Sequence, residues 1–81
     1  MSKISQSDVI VIIEKALEIK AGSLNKNTRA EEVDNWDSLG QLSILVALDK
    51  LYEGKIAKIT EMAEADSVSK ILGILMQHEF I

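Results

Sequence analysis

Few side chains in this sequence could carry out chemistry, and a serine is the most conspicuous of them. The 81 residues contain no cysteine and a single histidine, His78. These counts exclude disulfides, thiol nucleophiles and thiolate metal sites, and they argue against an imidazole-rich metal site. The four glycines are scattered, so no glycine-rich phosphate loop is present, and no two acids are placed about an apolar cleft. We therefore predict no catalytic residues and no metal ligands, and expect a protein that is not an enzyme.

The serine is Ser38, in the tetrapeptide Trp36-Asp37-Ser38-Leu39 between a long polar segment and an amphipathic one. If Asp37 caps the helix that follows, Ser38 becomes its first residue, with its hydroxyl exposed where backbone N–H groups lack partners. The positive end of a helix dipole suits a covalently attached phosphate group. No base lies nearby in the sequence to activate the serine, which argues against a small hydrolase. We expect Ser38 to be the substrate of another enzyme.

The overall composition limits the other classes of function. The chain carries 13 acidic and 9 basic residues, a net charge of −4, which is the opposite of what phosphate neutralisation by a nucleic-acid binder requires. The segment Met1 to Ile10 has no apolar stretch after a basic start, and no apolar run approaches the length of a membrane span. We expect one globular domain over residues 1–81, cytoplasmic, without a transmembrane segment.

The elements that must position Ser38 are predicted to be helices, because the chain has no proline and only four glycines. A first helix is expected from about Ser7 to Lys20, a second from Asp37 or Ser38 to about Tyr52, a short turn over Thr60 to Glu64, and a last helix from Asp66 or Ser67 to about His78. Ser5 and Asp8 have the spacing of a capping box, and Gly22 is expected just beyond the first helix. The fold class is all-α, a small bundle of three main helices plus one short helix.

The second helix has an unusual distribution of apolar residues. One face is predicted to pack into the core through Ile44, Leu45, Leu48, Leu51 and Tyr52. Leu39, Leu42 and Val46 fall on the opposite, polar face. Either a neighbouring helix covers these three side chains, or they form a docking stripe for a partner. Met62 and Met76 are expected to fill gaps in the core.

The order of these features over essentially the whole chain resembles the acyl carrier proteins. In that family the D-S-L motif, here Asp37-Ser38-Leu39, holds the serine that receives 4′-phosphopantetheine from coenzyme A. The resemblance implies a carrier that holds acyl intermediates as thioesters. It implies a phosphopantetheinyl transferase that recognises Asp37, and acyl-activating enzymes, acyltransferases or synthases as further partners. We expect the protein to be a monomer.

The resemblance assigns roles to further residues. Leu39, Leu42, Val46 and Asp49 match positions that face partners, and Ile44, Leu48 and Tyr52 match interior positions that form the acyl pocket. A second sequence of the same type, Asp66-Ser67-Val68, lies at the start of the last helix, where the family has a hydroxyl-bearing cap. We assign Ser67 to capping and Ser38 to the prosthetic group.

The sequence departs from typical fatty-acid carriers in two places. Asn35-Trp36 replaces a glycine-rich turn, and Trp36 either lies over the loop or the prosthetic arm or fills the edge of the core. The second helix carries Ser43 and Lys50 on a face that is usually acidic, which weakens electrostatic steering towards basic partners. The tryptophan variant resembles stand-alone carriers of specialised lipid, polyketide or surface-glycan pathways. The alternative is an unmodified helical interaction module that docks through the second helix.

Overall fold

The structure, a computed structural model, describes residues 4–81. The predicted domain begins at Met1, and residues 1–3 lie outside the described residues. The α-helices are α1 (Gln6–Ala16), α2 (Ser38–Leu51), α3 (Thr60–Ala63) and α4 (Val68–Gln77), with 3₁₀ turns at Ala30–Glu32 and Ile56–Lys58. The described part of the chain has no strand, and its one isolated bridge joins Arg29 to Ser67. The prediction of a small all-α bundle with three main helices and one short helix is confirmed.

The start of α1 was predicted correctly, and its end was not. The Ser5 hydroxyl accepts a hydrogen bond from the Asp8 N–H at 3.2 Å, and the Asp8 carboxylate accepts one from the Ser5 N–H at 3.0 Å, which completes the capping box. The helix ends at Ala16 instead of continuing to Lys20, because Glu18 adopts a left-handed backbone with φ of 58°. Apolar periodicity alone cannot show this exit.

Two side chains hold the backbone that follows α1. The Glu14 carboxylate is 2% exposed and accepts hydrogen bonds from the N–H groups of Gly22 and Leu24 at 2.9 and 3.0 Å. The Asn35 amide donates to the Leu17 carbonyl at 2.9 Å. Gly22 therefore lies in a turn fixed by Glu14 and is not the residue that ends the helix, which corrects the predicted role of this glycine.

The core runs along the inner faces of all four helices. The apolar side chains that are at most 6% exposed are Val9, Ile13, Leu17, Leu24, Trp36, Ile44, Leu48, Ile56, Met62, Ala65, Val68, Ile71, Leu72 and Leu75. Leu51 and Met76, which were expected in the core, are 37% and 52% exposed. Both side chains lie in the last turn of their helices, where the chain leaves the bundle. None of the helices in residues 4–81 combines the length and the hydropathy that crossing a bilayer requires.

The long loop before α2 is attached to the start of α4. The Ala30 N–H donates to the Asp66 carbonyl at 2.8 Å, and the Val68 N–H donates to the Thr28 carbonyl at 3.0 Å. Ser67 caps α4 as predicted, since its hydroxyl accepts from the Lys70 N–H at 3.1 Å. The loop is therefore part of the folded bundle, and it delivers the chain to α2 in a fixed position.

Candidate functional site

Ser38 is the first residue of α2 and is exposed. Asp37 is the N-cap, as predicted, and its carboxylate accepts a hydrogen bond from the Gly40 N–H at 2.9 Å. The Asp37 carbonyl accepts the Gln41 N–H at 2.8 Å. The Ser38 and Leu39 N–H groups occupy the open first turn, where a helix offers no backbone acceptor. The hydroxyl of Ser38 thus lies beside donors that suit a phosphate oxygen.

The start of α2 packs unusually closely against the loop that precedes it. Gly40 is buried, and a Cβ atom there would overlap the Asn35 carbonyl oxygen and lie 2.8 Å from Cδ2 of Leu17. The absence of a side chain at Gly40 therefore allows the loop to reach the first turn of the helix. Sequence reasoning missed this role, although a glycine inside a predicted helix, two residues after Ser38, was a signal for it.

Trp36 fills the edge of the core, which was one of its two predicted roles. Its side chain is 5% exposed, and its indole N–H donates to Oε1 of Gln41 at 2.7 Å. Nε2 of Gln41 in turn donates to the carbonyls of Met62 and Ala63 at 3.1 and 3.2 Å. This chain of hydrogen bonds joins the loop, α2 and α3. Sequence reasoning did not identify Gln41, because its partners on α3 are more than 20 positions away along the chain.

The apolar stripe on the outer face of α2 is exposed. Leu39, Leu42 and Val46 are 75%, 56% and 48% exposed. The interpretation in which a neighbouring helix covers them is therefore wrong for the described part of the chain. An uncovered stripe of large apolar side chains is a feature of docking surfaces. Leu39 directly follows Ser38 on the same helix, and Leu42 and Val46 lie about one and two turns further along.

Two of the cavities around α2 lie next to α3. The first, of about 520 Å³, lies beside Ser38, and we call it the serine cavity; it is lined by Ala30, Trp36, Asp37, Ser38, Gln41, Ala63, Glu64, Ala65 and Asp66. The second, of about 420 Å³, lies between α2 and α3, and we call it the α2–α3 groove; it is lined by Leu42, Leu45, Val46, Asp49, Ile56, Ala57, Ile59, Thr60 and Ala63. Ala63 lines both cavities, so the two adjoin at the end of α3.

The residues predicted to form an acyl pocket occupy the interior. Ile44 and Leu48 are fully buried, and Tyr52 is half-buried with its ring 4.7 Å from that of Phe80. None of the three predicted residues lines the α2–α3 groove. The structure therefore brings Ile44 and Leu48 together in a packed core, and their role around an acyl chain stays a prediction.

Asp49, predicted to face partners, has a structural contact. Its carboxylate accepts a hydrogen bond from the Ala57 N–H at 2.8 Å and so holds the turn that follows α2.

Both residues of the second D-S sequence make local contacts. Ser67 caps α4, and Lys70 forms an ion pair with Asp66 at 2.9 Å. The hydrogen bond and charge of Lys70 hold the pKa of Asp66 below its usual value.

The Tyr52 hydroxyl is an unusual polar group in this region. Its oxygen is buried, and no described residue forms a hydrogen bond with it. Burial disfavours the charged phenolate and raises the pKa of Tyr52. An unpaired buried hydroxyl costs stability, whereas an apolar group of the same shape does not.

We therefore expect Tyr52→Phe to increase the free energy of unfolding, by about 1 kcal/mol at pH 7. The pH adds a second effect, because the pKa of Tyr52 is higher in the folded state than in the unfolded state. The stability that this pKa difference contributes is fully present below the unfolded-state pKa and is lost as the pH rises through the folded-state pKa. Phenylalanine does not titrate, so the variant has no such loss. Urea titrations of both proteins at pH 7 and above pH 10 measure the difference, which should widen in alkali. A destabilised Tyr52→Phe variant at pH 7 would show that the hydroxyl has a partner.

Within residues 4–81, no group of three or more His, Cys, Asp or Glu side chains is placed to hold a metal ion. Comparison with protein-family models, curated proteins and solved structures finds no significant match to this chain.

Proposed function

We propose that this protein is an acyl carrier, in which Ser38 receives 4′-phosphopantetheine and the bundle presents the attached acyl group to partner enzymes. The observation that supports the proposal most directly is the exposed Ser38 hydroxyl at the first position of α2, next to a capping Asp37. The uncovered apolar stripe on the same helix supports a second requirement, a surface on which partners dock.

The residues around Ser38 fit a phosphate ester. The hydroxyl is exposed, the N–H groups of Ser38 and Leu39 lie in the open first turn, and the 14-residue α2 places its positive dipole end there. The serine cavity gives the arm a shallow surface beside its attachment point. When bound, the group supplies a terminal thiol that carries acyl chains as thioesters, and this chain has no cysteine of its own.

In the attachment step, the Ser38 oxygen bonds to the phosphorus next to pantetheine in coenzyme A. The bond from that phosphorus to the bridging oxygen of the pyrophosphate breaks, and adenosine 3′,5′-bisphosphate leaves. The serine proton passes to a base of the phosphopantetheinyl transferase, which also supplies magnesium. The role of this chain is to expose the hydroxyl and to orient it, with Asp37 as part of the surface that the transferase recognises.

After attachment, Leu39, Leu42 and Val46 would contact partner enzymes: acyl-activating enzymes, acyltransferases or synthases. Lys50, in the last turn of α2, reduces the acidity of this face, and Asn35-Trp36 stands where typical fatty-acid carriers have a glycine-rich turn. Both features support a specialised lipid, polyketide or surface-glycan pathway. We propose that the protein is a cytoplasmic monomer. We also propose that it is not itself catalytic, because the single histidine lies at the end of α4, 40 positions after Ser38, and the Asp37 carboxylate accepts the Gly40 N–H.

The second candidate is an unmodified interaction module that docks through α2. The exposure of Leu39, Leu42 and Val46 favours it equally, because the stripe needs no prosthetic group to bind a protein. The two functions differ in one chemical property, which is whether Ser38 becomes covalently modified.

Intact-mass measurement separates them. We expect the wild-type protein, incubated with coenzyme A, magnesium and a transferase of broad specificity, to gain the mass of one 4′-phosphopantetheinyl group. Protein purified from its native host should carry the same addition, with or without an acyl chain. An unchanged mass in both samples would contradict the carrier and favour the interaction module.

A further inference from the structure

Gln41 forms a hydrogen bond to the residue that the serine cavity and the α2–α3 groove have in common. Its side chain lines the cavity beside Ser38, and its amide nitrogen donates to the carbonyls of Met62 and Ala63 at 3.1 and 3.2 Å. Ala63 is the residue that both cavities share. The two hydrogen bonds therefore lie where a flexible chain fixed to Ser38 would pass from one cavity into the other.

The position of α3 depends on its tertiary contacts. The helix has four residues, too short to be stable without tertiary support. Met62 anchors it in the core with 0% exposure, whereas Thr60, Glu61 and Ala63 are exposed. The Gln41 bonds are thus the polar link that holds the end of α3 against α2. If they break, α3 can move outward and the groove can widen.

The orientation of Gln41 is itself fixed. Its Oε1 accepts the indole N–H of Trp36 at 2.7 Å, and the indole is buried in the core. This bond leaves the Gln41 nitrogen as the part of the amide that faces the α3 carbonyls. Trp36 and Gln41 together therefore set the spacing between α2 and α3 at the end of the groove that adjoins Ser38.

We propose that Gln41 is a positioning residue that limits how much of an acyl chain attached at Ser38 the α2–α3 groove can shelter. The inference rests on the proposed carrier function. The groove is lined mostly by apolar side chains, so it suits an alkyl chain, and its volume of about 420 Å³ is the one set with both Gln41 bonds formed. An acyl chain that passes Ala63 must break the hydrogen bonds from Gln41 to the carbonyls of Met62 and Ala63. A long acyl chain and the Gln41 side chain therefore compete for the same space beside α3.

Gln41→Glu tests this role selectively. A glutamate keeps an oxygen that accepts from Trp36, but it replaces the donor to the α3 carbonyls with a second acceptor. Gln41→Met removes both interactions with a side chain of similar length. Ser43→Ala, at an exposed position of the same helix and outside the groove, is the matched control. Far-ultraviolet circular dichroism establishes that each variant is folded.

The readout is the rate at which hydroxylamine cleaves the thioester of acetyl-loaded and octanoyl-loaded protein. The amine nitrogen attacks the thioester carbonyl, the carbon–sulfur bond breaks, and the arm is released as its thiol. We expect the ratio of acetyl to octanoyl cleavage rates to rise about fivefold in Gln41→Glu and Gln41→Met, the equilibrium factor of one net hydrogen bond. Only the octanoyl rate should fall, because an acetyl group is too short to fill the groove. Ser43→Ala should retain the wild-type ratio.

Hydrogen exchange on the unmodified proteins distinguishes the failure of this inference from the failure of the carrier function. The N–H groups of Met62 and Ala65, within and just after α3, donate to the carbonyls of Ile59 and Met62. They should exchange faster in both Gln41 variants than in the wild type, whether or not Ser38 accepts an arm. Unchanged exchange, or an unchanged cleavage ratio in folded and loaded variants, would overturn the role of Gln41. A wild-type protein that accepts no arm would instead contradict the carrier function.

Discussion

Replacing Ser38 by alanine is expected to abolish the uptake of 4′-phosphopantetheine and to leave the bundle folded. The side chain is exposed at the first position of α2, where alanine is a good helix former, so the change in the free energy of unfolding should stay within about 0.5 kcal/mol. Loading, in contrast, is all or none, because the serine oxygen is the atom that bonds to phosphorus. Intact mass after incubation with coenzyme A and a transferase measures the effect.

Ser67→Ala is the matched control. Ser67 also follows an aspartate and precedes a large apolar residue, but its hydroxyl accepts the Lys70 N–H and caps α4. We expect this variant to load fully and to lose about 1 kcal/mol of stability, the usual cost of removing an N-cap. If the Ser38 variant loads while the Ser67 variant does not, the assignment of the two serines is reversed.

The second large effect concerns the backbone that positions Ser38. Gly40→Ala should destabilise the protein by about 1–3 kcal/mol, because the new Cβ atom overlaps the Asn35 carbonyl oxygen and meets the Leu17 side chain. A backbone carbonyl cannot rotate away as a flexible side chain can, so either the loop or the start of α2 must move. Urea denaturation measures the loss of stability, and the initial rate of transferase loading reports whether the serine has moved.

Gly73→Ala provides the opposite result from the same chemical change. Gly73 lies inside α4, and a Cβ atom added there would have no neighbouring atom within 4 Å, so alanine adds helix propensity without a clash. We expect it to stabilise the protein by about 1 kcal/mol and to leave the loading rate unchanged. If the two alanine substitutions changed the free energy of unfolding equally, the predicted overlap at Gly40 would be contradicted.

The close packing around Gly40 affects both the stability of the protein and the position of Ser38. The side-chain amide of Asn35 donates to the carbonyl of Leu17 at the end of α1, and the backbone carbonyl of Asn35 lies against Gly40. Asn35 is followed by Trp36 and by Asp37, the N-cap of α2. The loop residues Asn35 and Trp36 therefore support the start of α2. We expect substitutions here to alter the presentation of Ser38 even though none of these side chains reacts.

Much of the fold could be predicted from local patterns. The capping box at Ser5, the Asp37 and Ser67 caps and the apolar periodicity of α2 and α4 depend on residues three or four positions apart. Such interactions form between neighbours along a helix, so the order of residues is enough to reveal them. The same patterns placed Ser38 at the first position of α2 and Leu39, Leu42 and Val46 on its outer face.

Interactions between residues far apart in the chain could not be predicted in this way. The end of α1 depends on how Glu14 and Asn35 satisfy backbone groups elsewhere, and the link from α2 to α3 depends on Gln41 meeting carbonyls more than 20 positions away. No periodic signal marks such pairs, because packing of the whole chain brings them together. Local patterns therefore establish that Ser38 lies at the start of α2 and that Asp37 and Leu39 lie beside it. Three-dimensional packing alone establishes that the outer stripe is uncovered, that Trp36 is buried, and that the Gln41 amide holds α3 against α2.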